Sequence, residues 1–183
     1  RDEDIVNYIK TQGELTVRII SSHTSPKRPE GYSFYEYRGK QLQRNGTGFI
    51  QYVYRNDTRS GAPCPCPECR TSAHPRVAWA KVKVRTATHL VFDDDEARRT
   101  VVQLFYDVDG DKTGVKVLHG ESVRHGTLAG DWCDMRCVTH DMELVDHLKD
   151  TWGRWRWLET KINQNYATHP DPRLAVVVRW LLW

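Results

Sequence analysis

No serine follows Ser122 in this chain of 183 residues, and beyond Asp141 the only Ser/Thr hydroxyls are those of Thr151, Thr160 and Thr168. None of these threonines sits in a glycine-rich turn whose backbone N–H groups could receive an oxyanion, so the downstream part of the chain offers no hydroxyl nucleophile. No apolar run approaches the roughly 18 residues needed to span a bilayer. The start, Arg1-Asp2-Glu3-Asp4, lacks the apolar segment of a secretory signal. A soluble chain with no membrane partner is expected, processed or trimmed at a start without Met. A dominant charge is missing too: 27 basic against 24 acidic residues leave +3, which by itself predicts neither nucleic-acid nor membrane binding. Cysteine is scarce and odd in number, and five thiols leave at least one unpaired if the others form bridges. The compartment stays open on that count, although the sequons Asn45-Gly46-Thr47 and Asn56-Asp57-Thr58 favour an extracellular over a cytoplasmic location.

What is present is the makings of one folded β domain. A hydrophobic content of 39% with seven tryptophans lies far from the composition of disorder, and the length suits one solid core rather than two complete barrels. Residues 2–10, with Ile5, Val6 and Ile9 at helical spacing, predict a short N-terminal helix. Runs rich in Val, Ile, Tyr, Phe and Trp predict strands over 15–20, 32–37, 47–55, 77–85, 100–107, 113–118 and 174–180. Asp107-Val108-Asp109-Gly110-Asp111 reads as a hairpin turn among them. Many short strands and few long helical patterns point to a mainly β barrel or sandwich.

Three ordered segments carry more: Gly46-Thr47-Gly48-Phe49-Ile50, Thr86-Ala87-Thr88-His89-Leu90-Val91 and His140-Asp141-Met142-Glu143-Leu144-Val145. Together they resemble the first antiparallel barrel of a trypsin-like serine protease. In that family a Gly-Ser-Gly-Phe-like strand leads to a Thr-Ala-Ala-His segment bearing the general base, and a later Asp-Ile-Ala-Leu-like strand supplies the orienting Asp. The resemblance implies His89 as base and Asp141 as orienter, because an imidazole must take the serine proton and a carboxylate must hold its tautomer. The plain alternative has His89 as a satisfied strand-end histidine and Asp141 as a turn or cap residue. Thr88 replaces the usual second Ala, Leu90 stands where many secreted members have Cys, and no Gly-Asp-Ser-Gly-like segment follows Asp141.

On that resemblance, residues 1–45 form an N-terminal arm and early strands, and 46–148 the first barrel with a Cys-rich insertion at 61–76. Residues 149–183 then form a Trp-rich connector and the start of an incomplete second barrel. The implied function is a nucleophile-less pseudoprotease that binds protein or peptide, or a fragment of a peptide-hydrolysing enzyme whose missing barrel comes from a second chain.

The insertion supports another reading. Cys64-Pro65-Cys66-Pro67-Glu68-Cys69 places three thiols in a proline-stiffened turn where they can converge on one tetrahedral metal ion, with His74 near enough to complete a structural zinc site. Cys133 and Cys137 are further candidate ligands, and disulfides between the two groups are the other possibility. Either way the chain can be a zinc- or disulfide-stapled interaction domain. In Trp152-Gly153-Arg154-Trp155-Arg156-Trp157 aromatic and basic residues interleave, a pattern that contacts single-stranded nucleic acid but more often covers a core. Asp93-Asp94-Asp95-Glu96 reads as a solvated turn or helix N-terminus rather than a calcium loop.

Overall fold

Along the strand segments apolar and polar residues alternate, so each can bury one face only by closing on its neighbours. A computed structural model describes residues 2–56 and 58–166. The strands are β1 (Thr16–Ser21), β2 (Arg44–Arg55), β3 (Ala80–Thr86), β4 (Thr100–Leu104), β5 (Lys116–Thr127) and β6 (Trp132–Thr139). They form a closed barrel in the order β1-β2-β3-β6-β5-β4, with every neighbouring pair antiparallel. Val17 and Ile19, Val82 and Val84, Val102 and Leu104, and Cys133, Met135 and Cys137 fill its interior at period two. Gly120 is required on β5: a Cβ there would lie 2.1 Å from the carbonyl oxygen of Ala97, a residue buried in the same core.

Among the described residues four α-helices accompany the barrel: α1 (Asp2–Leu15), α2 (Pro67–Thr71), α3 (Asp94–Ala97) and α4 (Met142–Tyr166). On α4, Leu144, Val145 and Leu148 join the barrel core, and the stripe continues one turn on through Trp152 and Trp155. Trp152 meets Tyr52 at 5.1 Å and Trp155 meets Phe49 at 5.2 Å between ring centroids. The stripe then passes to Leu158 and Ile162, which pack on Tyr8 of α1, while Tyr8 stacks on Trp155.

Several expectations change here. The barrel starts at Thr16, and the region over residues 1–45, expected as an arm with early strands, contains α1, β1 and the β1–β2 connection. Residues 149–166 of the expected connector belong to α4, because their apolar residues recur at helical rather than strand spacing. The run 32–37 is no strand. Gly31 and Gly39, both left-handed, flank it, and it turns through a short 3-10 helix at Tyr35–Tyr37 with Phe34 at φ 64°. The strand expected over 174–180 and the second-barrel start lie outside the described residues.

Candidate active site and metal centre

His89 and Asp131 meet at one end of the barrel. The chain leaves β3 at Thr86 and reaches His89 three residues later; it enters β6 at Trp132, immediately after Asp131. Asp131 Oδ2 lies 2.5 Å from His89 Nδ1, and Asp131 Oδ1 accepts a 2.9 Å hydrogen bond from the His89 backbone N–H. The two contacts fix both the ring and its backbone on one carboxylate. Tyr32 adds a third partner, its hydroxyl donating to Asp131 Oδ1 at 3.2 Å. Burial pulls the Asp131 carboxyl upward, but the bonds from His89 and Tyr32 outweigh it and hold the group below its ordinary range. Burial, reinforced by the Asp131 charge, pushes the Tyr32 phenol up to about 12, so it stays a donor. Asp131 holds φ 48°, a left-handed conformation that Asp tolerates better than most residues. The His89 side chain is 45% exposed.

A buried ion cluster holds the His89 loop. Asp93 caps α3 by accepting from the amides of Asp95 and Glu96. Glu96, fully buried, then receives Arg28 in a bidentate fork (2.7 Å to each oxygen) and Arg44 at 3.0 Å. The same guanidiniums reach the loop carbonyls: Arg28 donates to His89 O at 2.9 Å and Arg44 to Leu90 O at 3.3 Å. The acidic run is thus a helix N-terminus, as expected, but its last member is an internal counter-ion. An Asp-x-x-Glu box was the available signal; that Glu96 turns inward depends on two arginines far away in sequence.

Asp141 is not the partner of His89. Its Oδ1 accepts from the Leu144 amide at 3.0 Å, capping α4, and its Oδ2 accepts from Lys116 Nζ at 2.7 Å. The Lys116 bond and the helix amides hold its carboxyl below the usual range. Asp141 thus caps α4 and pairs with Lys116; it follows β6, at the barrel end away from His89, whereas Asp131 precedes it. Asp131 carries no local signal, because Asp131-Trp132-Cys133-Asp134 lacks the small and aliphatic residues of the family strand.

At that other end, Cys64, Cys66, Cys69 and His140 converge, their candidate ligand atoms all within 4.8 Å of one another. This set could bind a metal ion. Cys66 caps α2 by accepting the Cys69 amide on its sulfur at 3.4 Å, and Cys69 Sγ accepts the Arg76 amide at 3.4 Å. His140 Nδ1 lies 3.4 Å from Cys66 Sγ and 3.5 Å from Cys69 Sγ. Burial pushes the Cys64 thiol up to about 12. The cysteine triplet was legible; its fourth member was not. His74 is exposed in the turn beyond α2, while His140 arrives from the end of β6. Cys133 and Cys137 are neither ligands nor bridge partners: they point into the barrel, and all five thiols are free. Of the tryptophan-rich stretch, Trp152 and Trp155 cover the core and Trp157 is 59% exposed.

Compared with protein-family models, curated proteins and solved structures, the chain matches none.

Proposed function

We propose that this barrel is the base-bearing half of a trypsin-like, peptide-hydrolysing site, with His89 as general base, Asp131 as its orienter and Tyr32 steadying Asp131. The observation that carries the reading is the double contact of Asp131 with the Nδ1 and the backbone N–H of His89. It has support from placement for His89, which follows a strand in the Thr-Ala-x-His segment that carries the family resemblance; Asp131 takes the orienter's place on geometry alone.

The chemistry follows from the tautomer. Asp131 keeps the proton on Nδ1, so Nε2 carries the free lone pair. Nε2 takes the proton of a serine hydroxyl as its oxygen attacks the peptide carbonyl carbon, and the Asp131 carboxylate stabilises the imidazolium so formed. The same proton then passes from Nε2 to the leaving amine as the C–N bond breaks, and a water repeats the sequence on the acyl-enzyme. The serine of this scheme comes from a polypeptide segment outside these 183 residues. The thiol cluster, at the other end of β3 and β6, has no part in it.

The test is a fluorophosphonate probe on the natural protein that contains this chain. Labelling of one serine is expected, lost in His89→Ala, reduced by about 10⁴-fold in Asp131→Asn and unchanged in Asp141→Asn. Absence of labelling, or labelling indifferent to His89→Ala, overturns the proposal in favour of a binding module.

A further inference from the structure

We infer that Cys64, Cys66, Cys69 and His140 close a structural Zn²⁺ site that pins the β2–β3 connection to the end of β6, at the barrel end opposite His89. The inference stands independently of the proposed hydrolytic role.

Three observations carry it. The first is distance. In a tetrahedral site with Zn–S near 2.3 Å and Zn–N near 2.0 Å, a sulfur and a nitrogen stand roughly 3.5 Å apart. His140 Nδ1 stands 3.4 and 3.5 Å from the sulfurs of Cys66 and Cys69. Cys64 completes a set in which no ligand pair exceeds 4.8 Å.

The second is the surroundings of the sulfurs. Two of them accept backbone amides, from Cys69 and from Arg76, and such N–H···S bonds orient thiolates and offset their charge. The cluster is packed against Trp79 and Val138, so the three sulfurs are shielded from water as a closed site requires. On the far side of the ring, Glu68 Oε2 lies 3.5 Å from His140 Nε2, the placement of an outer carboxylate that leaves Nδ1 to the metal.

The third is what the cluster joins. Between β2 and β3 the connection is held by the 3-10 turn Thr58–Ser60 and α2, whose five residues contribute only Cys69 to the buried set. A metal clip stabilises most where it closes a long loop, and His140, one residue beyond β6, supplies the ligand that would close this one. Thiolate-rich ligation with all four positions filled by the protein is the signature of a structural rather than a hydrolytic ion. In the β3–β6 ladder Ala80 faces Thr139 and Thr86 faces Cys133, so this centre sits about 20 Å from the His89 rim.

The experiment is metal analysis of the purified chain, followed by chelation and titration with Co²⁺ under reducing conditions. One Zn²⁺ per chain is expected as isolated, and one Co²⁺ after exchange, with sulfur-to-cobalt charge transfer and the intense visible bands of a tetrahedral site. Cys66→Ser is expected to lose the ion. The double variant Cys133→Ser/Cys137→Ser keeps it, and His140→Cys keeps it with stronger charge transfer from a fourth sulfur. If Cys66→Ser fails to fold, the cobalt spectra of the wild-type chain and of His140→Cys decide the matter. A wild-type chain that takes up no Co²⁺ in tetrahedral form, metal retained in folded Cys66→Ser, or a His140→Cys spectrum identical to wild type overturns the site.

Discussion

Thr86 of β3 faces Cys133 of β6 across the antiparallel ladder, and this register sets His89 beside Asp131. His89 lies three residues past Thr86 and Asp131 two before Cys133, so both overhang the same end of the same strand pair. A slip of one residue along either strand would turn every side chain on it to the other face and carry the two groups apart.

That register makes the imidazole a sensitive reporter. In the wild-type chain the His89 Nδ1 proton is expected far downfield in the ¹H spectrum, held by the Asp131 carboxylate. Asp131→Asn should move it upfield or lose it to exchange, and Asp141→Asn should leave it in place. A signal that responds to Asp141 and ignores Asp131 would reverse the assignment.

Glu96 is the group whose loss should cost most. Replacing it by Gln leaves Arg28 and Arg44 buried without their counter-charge, and breaking such a pair costs about 3–5 kcal/mol. Urea unfolding should show that drop. Amide exchange should quicken at Ser25 and Phe92, whose N–H groups donate to the Glu96 carboxylate at 2.8 and 2.9 Å. A loss within the range of ordinary surface substitutions would show that the arginines find other partners.

Asp134 on β6 should make the fold sensitive to acid. Its side chain is 3% exposed, and burial raises its carboxyl; the bonds from Arg85 and Lys83 outweigh burial and hold it below its ordinary 3.8. Because the folded value is the lower one, the unfolded chain takes up the proton first as pH falls. The stabilisation is therefore complete above about pH 4 and is lost as pH drops through the folded value. Asp134→Asn should be less stable than wild type at pH 7, and the gap should close in that acid window. Parallel stability–pH curves for the two chains would show that the ion pairs contribute nothing.

Much of this architecture is written locally. The alternation in Ala80–Thr86 and Thr100–Leu104 marks strands because each residue type must face core or water in turn. The Cys-Pro-Cys-Pro-Glu-Cys run marks a convergent thiol cluster because proline and a single helical turn leave its sulfurs few directions. The place of His89 just past a strand end is legible too, since Ala80–Thr86 reads as a strand. What the sequence could not determine is partnership across distance. Asp131 and Asp141 are both plausible carboxylates near β6, and only the β3–β6 register decides that the one before the strand reaches His89 while the one after it caps α4. His74 and His140 compete likewise for the thiols, and barrel closure selects the one 74 residues from Cys66. Glu96 turns inward because folding delivers Arg28 and Arg44 to it. Local patterns depend on neighbours in the chain, whereas these pairings exist only once six strands have closed and fixed which ends lie together.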